Sequence, residues 1–224
     1  MRAHRGNRVV SLLGAVAVVA TLSGCASSGT TEPAATDVTP CSAPDIRELS
    51  SGIVYDYEPM PSPAALAELS ELVVSATIDR VQEGRVQIVP ANDSVPGVPT
   101  IVLVLRDATV AQGSLAEGND GFVYIELPGP VERDPDADAH SPLAGCQVVA
   151  YLGPSSDGAP REDIDVAIAE PLAGRPAGQA LYIPSGPQSL ILQYEDDRVM
   201  WPLIGETREG VLEDTLPTGN LIAP

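Results

Sequence analysis

The stretch Thr100-Ile-Val-Leu-Val-Leu-Arg-Asp-Ala-Thr109 decides the fold class of this 224-residue chain. Its first half, Ile101–Leu105, is a continuous apolar run, which is typical of a strand covered on both faces. A loop rich in turn-forming residues, Pro90–Pro99, precedes it. The stretch therefore predicts a buried strand in a β-rich domain.

Further strand-like segments lie on both sides of this stretch. Leu72–Val81 alternates in part, and Glu83-Gly84 predicts a turn into a second strand, Arg85–Val89. Ile164–Ala169 fits either a strand or a helical turn. The remaining predicted strands are Gly121–Leu127, Cys146–Leu152, Ser189–Tyr194 and Arg198–Leu203, of which the last two flank Glu195-Asp196-Asp197 and predict a hairpin.

A short helix is predicted from Ser62 to Leu72. Ser62 can cap its N-terminus, and Pro63 fits the first turn, where its missing N–H is not needed. Leu66, Leu69 and Leu72 recur at helical spacing and give one narrow apolar stripe. So short a helix is not stable alone, and we expect it to pack on a sheet.

Long loops separate these segments, and together they favour one mainly β domain. We expect a single small barrel, OB-like, or else a sandwich, with one short N-terminal helix. The loops are Pro90–Pro99, Pro128–Pro142, Gly153–Asp163 and Pro171–Pro187.

The order of elements resembles that of uncharacterised exported actinobacterial proteins with an OB-like barrel. The resemblance covers about residues 62–203 and includes Val104-Leu-Arg-Asp-Ala-Thr-Val-Ala-Gln-Gly113 and Phe122-Val-Tyr-Ile-Glu-Leu-Pro128. It implies a fold, and it supplies no catalytic residues.

The N-terminus is built like a secretion signal. Arg2, Arg5 and Arg8 precede Val9–Leu22, an uncharged stretch shorter than the ~20 apolar residues of a membrane span. Leu22-Ser23-Gly24-Cys25 then resembles the lipobox of bacterial lipoproteins. The resemblance implies cleavage before Cys25, acylation of this cysteine with a palmitate-type lipid, and anchoring at the outer face of the cell membrane.

Three segments follow from this interpretation. Residues 1–24 would be the signal peptide, and residues 25–44, rich in Ala, Ser, Thr, Gly and Pro, a flexible tether. Residues 45–224 would form the single β-rich domain.

The charge of the chain is strongly negative. Removing residues 1–24 takes three of the twelve arginines and no acid, so nine arginines remain against 31 acidic residues, a formal charge of −22. The chain contains no lysine. We therefore expect no binding to nucleic acid, which depends on basic contacts to phosphate, and no lysine-based catalysis.

Two cysteines remain if Cys25 carries lipid. An exported compartment permits a disulfide, so we predict a bridge between Cys41 and Cys146, with two buried, unpaired thiols as the alternative. The bridge would staple the start of the domain to a strand in its middle.

One acidic cluster suggests a metal site. Asp134, Asp136 and Asp138 resemble the opening of a calcium loop. Ala139 and Gly145 depart from that pattern, where a glycine and a bidentate glutamate are needed. An irregular Ca²⁺ site and a plain solvated loop therefore both stay open, and we expect no other cofactor.

The sequence contains few residues that could form a catalytic site. His140 is the one histidine after residue 24, and it lies in an acidic, proline-bounded loop. We therefore expect a non-enzymatic domain that binds an envelope protein, through Asp134–His140 or the hairpin tip Glu195–Asp197. The alternatives are a carboxylate-based hydrolase of envelope glycans and a calcium-dependent adhesion module. Trp201 is predicted to be a core or edge anchor.

Overall fold

The chain folds mainly as β structure, as predicted. The computed structural model describes Cys41, Leu49 and residues 54–88, 97–129, 143–156 and 167–224, all within one unit, residues 37–224. Among these residues the helices are α1, Pro63–Glu68, and a 3₁₀ helix, Leu212–Thr215. The strands are β1 Leu72–Ile88, β2 Val98–Gln112, β3 Val123–Pro128, β4 Gln147–Pro154, β5 Ala167–Ala169, β6 Leu181–Pro184, β7 Leu190–Glu195, β8 Arg198–Trp201 and β9 Glu206–Glu209.

Five of the strands pair in a ring, in the order β1-β2-β3-β6-β4 and back to β1. The pairing of β3 with β6 is parallel, and the other four pairings of the ring are antiparallel. Strand β6 closes the ring through few residue pairs, two with β3 and three with β4. The ring is therefore barrel-like and only partly closed. Strand β5 extends the sheet beside the end of β1, and β7, β8 and β9 extend it from β4.

The main core lies inside the ring, where the inward faces of the ring strands pack against one another. In β3 the inward residues are Val123, Ile125 and Leu127, in the alternation that the sequence predicts. Alternate residues in parts of β1, β2 and β4 join the same buried cluster, each at most 4% exposed: Leu72, Val74, Ala76, Ile78, Ile101, Leu103, Leu105, Val148, Ala150 and Leu152. Their packing fixes the register of the ring, since a one-residue slip would turn a whole strand face outward.

A second cluster covers the opposite face of β1, β4, β7 and β8. Helix α1 contributes Leu66 and the C-terminal segment contributes Ala223, and Trp201 is fully buried between them as a core residue. The helix starts as predicted, with Ser62 Oγ accepting from Ala65 N at 3.1 Å. It ends at Glu68, before the predicted end at Leu72, because the chain turns there to begin β1.

The prediction of a turn at Glu83-Gly84 is wrong. Strand β1 continues through both residues, and its pairing with β2 is irregular between Glu83 and Val86. A Cβ on residue 84 would lie 2.3 Å from Thr100 Oγ1 on β2. The glycine therefore permits a close approach of two strands and does not mark a reversal of the chain.

The prediction of a loop over Pro171–Pro187 is also wrong in part, because this segment contains β6. Its earlier portion lies on the outer face of the ring. A Cβ on Gly174 would be 2.4 Å from Val102 Cγ2, and Gln82 Nε2 donates to Gly174 O at 2.6 Å. This segment keeps the outward valine Val102 fully buried.

The structure joins Cys41 and Cys146 in a disulfide, with 5.4 Å between the two Cα atoms. Both residues are 3% exposed, and Cys41 N donates to Gln193 O on β7 at 3.1 Å. The bridge therefore ties the start of the domain to the residue before β4. In the described part of the chain, no helix has the length and apolar character to cross a bilayer.

Candidate functional site

A buried ion pair between β1 and β3 is the most tightly organised polar feature of the domain. Arg85 Nε donates to Glu126 Oε1 at 2.8 Å, and Arg85 Nη2 donates to Glu126 Oε2 at 2.5 Å. The side chains are 1% and 5% exposed. This two-point geometry is the strong form of an arginine–carboxylate interaction.

Neighbouring hydroxyl and carbonyl groups complete the surroundings of the pair. Arg85 also donates to Ser155 Oγ at 2.7 Å and to Ser156 O at 2.9 Å. Thr100 Oγ1 lies 3.0 Å from Glu126 Oε1, and Ser155 Oγ lies 3.3 Å from Glu126 Oε2. Arg85 thus donates one hydrogen bond to each carboxylate oxygen, and a hydroxyl group lies beside each of them; the Thr100 hydroxyl also lies 2.8 Å from Arg85 O. The Glu126 carboxylate is therefore engaged in a two-point ion pair surrounded by polar groups.

A small cleft of about 240 Å³ opens beside the ion pair. Its polar lining groups are Tyr55, Gln87, Thr100 and Glu126, and its walls are mostly proline and aliphatic side chains. Burial raises the pKa of the Tyr55 phenol, whose hydroxyl group can donate a hydrogen bond. Glu126 is the one carboxylate among the residues that line this cleft.

A larger and more open cleft, of about 600 Å³, lies at the end of the ring where β1 and β6 begin and β2 and β4 end. We call it the Glu71–Glu117 cleft, after the two acidic residues in its lining. The lining contains no arginine or histidine and consists of Glu71, Leu72, Gly113, Ser114, Leu115, Ala116, Glu117, Pro154, Ala180, Leu181 and Tyr182.

The backbone at Glu71 is held in place from two sides. Glu71 N donates to Leu152 O at 2.9 Å, which joins the residue to β4. Gly113, with φ 82°, packs against its carbonyl, and a Cβ on residue 113 would be 2.1 Å from Glu71 O. Only a glycine fits there, in a left-handed conformation against a neighbouring backbone. The backbone that carries the Glu71 carboxylate therefore has a fixed position.

The other acidic residue, Glu117, lies in a turn. Asn119 N donates to Ala116 O at 3.1 Å, and Gly118 takes φ 75°. Gln179 Nε2 donates to Gly118 O at 3.2 Å and so links the turn to the segment before β6. Both Glu71 and Glu117 are exposed, whereas the floor of the cleft is apolar, formed by Leu72, Leu181 and Tyr182 at 1%, 5% and 8% exposure.

The predicted hairpin tip is present. Glu195 and Arg198 pair at the end of β7 and the start of β8, and Glu195, Asp196 and Asp197 are exposed. Gly210 N donates to Asp197 O at 2.8 Å. The tip lines neither of the two clefts, and its role as a binding site stays a prediction.

The predicted calcium ligands Asp134, Asp136 and Asp138, and His140, lie outside the described residues. Within the described ranges, no group of three or more His, Cys, Asp or Glu side chains is placed to hold a metal ion. The Ca²⁺ site therefore stays a prediction.

Four side chains of these sites were not singled out by the sequence: Arg85, Glu126, Glu71 and Glu117. One signal was present for Glu126, which alternates with Tyr124 on one face of an otherwise apolar strand. Comparisons of the chain with protein-family models, with curated proteins and with solved structures find no match.

Proposed function

We propose that this protein is an exported, lipid-anchored envelope protein whose folded domain binds a basic partner protein and has no enzymatic activity. The lipobox-like Leu22-Ser23-Gly24-Cys25 supports the anchor. After removal of residues 1–24 the formal charge would be −22, which anionic headgroups repel, so acyl chains would hold the chain at the membrane without help from a basic patch.

The binding proposal depends on which carboxylates are buried and which are exposed. Among the described residues, Glu126 is the one acidic side chain that is buried, and both of its oxygens accept hydrogen bonds from Arg85. A glycosidase needs a general acid whose raised pKa comes from burial, together with a second carboxylate across the substrate. Glu126 is instead held in a two-point ion pair with Arg85. The exposed carboxylates suit recognition of a positively charged surface.

Long-range electrostatics favour the same kind of partner. The excess of acidic residues produces a negative potential around the domain, which attracts a basic protein and speeds its association. Such an interaction weakens with salt, because the Debye length falls to about 8 Å at physiological ionic strength. The disulfide between Cys41 and Cys146 fits a domain that works outside the cytoplasm.

The anchor is tested by feeding cells an alkyne analogue of palmitate and attaching a fluorophore to the purified protein. We expect labelling of the wild-type chain and none of Cys25→Ala, which would also leave the membrane fraction. Labelling of Cys25→Ala, or none of the wild type, would contradict the anchor.

The binding activity is tested by cross-linking in intact cells, followed by purification of the tagged, lipidated protein. We expect a basic envelope protein that is captured by the full chain and lost when residues 45–224 are deleted. Cys25→Ala controls for placement at the membrane. Recovery of the wild type from the membrane without any captured protein would reject the proposal and shift attention to glycan or metal ligands.

A further inference from the structure

We propose that the Glu71–Glu117 cleft is the place where this domain docks a lysine or arginine side chain of its basic partner. The inference rests on the proposed function and names the site and the chemistry of recognition. The partner's cation would lie between the two carboxylates, and its aliphatic stem would lie along the apolar walls.

Charge complementarity supports this occupant. The cleft is lined by Glu71 and Glu117 and by no basic side chain. The chain has no lysine to offer, and the ion pairs recorded among the described residues leave both glutamates without an arginine partner. Exposed carboxylates with no ion-pair partner among the described residues attract a cation supplied by another molecule.

The walls match the rest of a long basic side chain. Leu115 and Pro154 form the sides, and the buried side chains of Leu72 and Leu181 form the floor. Lysine and arginine bury their methylene stems along such surfaces while the charged head stays in water. A volume of about 600 Å³ also leaves space for residues next to the docked side chain in an extended segment.

The cleft is organised before any partner arrives. Glu71 is fixed by its hydrogen bond to Leu152 O and by the close contact of Gly113, and the turn that carries Glu117 is linked to Gln179. Binding therefore orders little backbone, which lowers the entropic cost of association. The hairpin tip Glu195–Asp197 also carries exposed acids but lines neither of the two clefts.

The absence of lysine makes a direct test possible. A carbodiimide joins carboxylates to amines, and this chain supplies no lysine amine of its own, so each lysine link reports the probe. The probe is a nine-residue peptide of alternating lysine and alanine, used with the full lipidated protein in detergent micelles. The control peptide replaces lysine with 2,3-diaminopropionic acid, which keeps an amine but lacks the long stem.

We expect links mapped by mass spectrometry mainly to Glu71 and Glu117, and a lower yield with the short-stem peptide. The double variant Glu71→Gln/Glu117→Gln should bind the lysine peptide about tenfold more weakly, as expected when two exposed ion pairs are lost. The matched variant Asp196→Asn/Asp197→Asn removes the same number of charges at the hairpin tip and should change binding less than about twofold.

Three results would overturn the inference: links spread evenly over the acidic residues, equal binding of the two peptides, or equal effects of the two double variants. Each result would show that the peptide binds through the overall negative charge of the domain and not through this cleft. None of the three would contradict the proposed function. A failure to capture any basic protein from cells would instead reject the proposed function. Unfolding midpoints of the variants separate loss of binding from loss of fold.

Discussion

The Arg85 guanidinium and the Glu126 carboxylate form two parallel hydrogen bonds although they are 41 positions apart in the chain. Between them, on β2, Thr100 Oγ1 lies 2.8 Å from Arg85 O and 3.0 Å from Glu126 Oε1. Each of the three consecutive strands of the ring thus contributes one polar side chain to a single network. The network links β1, β2 and β3 through side chains, in addition to their backbone pairing.

Removing one partner of the pair should destabilise the domain strongly. For Glu126→Ala we expect a loss of about 3–5 kcal/mol in the free energy of unfolding, because Arg85 would keep a buried charge without its partner. The double variant Arg85→Met/Glu126→Leu should recover much of this loss. Urea unfolding measures both, and a single variant as stable as the wild type would show that the pair is open to water.

Gly84→Ala should destabilise the domain through a steric clash. Its Cβ would lie 2.3 Å from Thr100 Oγ1, and relieving an overlap of this kind costs about 1–3 kcal/mol. Gly153→Ala is the matched control on β4, since the nearest atom to its Cβ, Ser185 Oγ, is 4.0 Å away. Thermal unfolding of the two variants should separate them clearly, and equal midpoints would disprove the close approach of β1 and β2.

Loss of the disulfide should lower stability without changing the fold. The bridge closes a loop with a sequence separation of 105, and removal of such a bridge typically costs about 2–5 kcal/mol. We expect Cys41→Ser/Cys146→Ser to unfold at lower urea concentration than the wild type. In the wild-type protein under denaturing conditions, a thiol reagent should react only after reduction. Labelling of Cys41 and Cys146 without reductant would contradict the bridge.

Alkaline pH should destabilise the domain through Tyr124. Burial, with the hydrogen bond from Tyr124 OH to Asp120 Oδ2 and the charge of Asp120, raises the pKa of this phenol from 10.0 to about 12. Between these values the unfolded chain has released the proton and the folded chain still holds it. The stabilisation is therefore complete below pH 10 and is lost as pH rises towards 12.

Tyr124→Phe should remove this part of the pH dependence. Unfolding free energies measured at intervals from pH 9 to 12 should fall less steeply for the variant than for the wild type. Parallel curves would mean that the Tyr124 phenol titrates alike in the folded and unfolded states.

Local chemistry explains which elements the sequence could predict. Ser62-Pro63 fixes the start of α1, because the cap and the proline act within one turn. The alternation in Gly121–Leu127 and the acidic turn after Tyr194 likewise identify β3 and the β7–β8 hairpin. Each of these signals depends on residues that are neighbours in sequence.

Features that need distant partners could not be predicted. Glycine is a residue type common in turns, so Gly84 predicts a turn. Only the position of Thr100 explains why a glycine is required there within a strand. The four residues of β6 pair with β3 and β4, which are remote in sequence, and no local pattern marks them. Glu71 and Glu117 likewise line one cleft only because the antiparallel pairing of β1 with β2, which places Val73 opposite Gln112, brings the start of β1 beside the end of β2.

The route by which the ring closes also limits how fast the domain can form. Leu72 on β1 pairs with Leu152 on β4, and Tyr124 on β3 pairs with Leu181 on β6, so the closing contacts join distant parts of the chain. Folds dominated by such contacts form slowly, in about milliseconds to seconds. A chain that emerges N-terminus first cannot complete the ring before Pro184 has emerged, so its apolar strand faces stay open to other proteins until then.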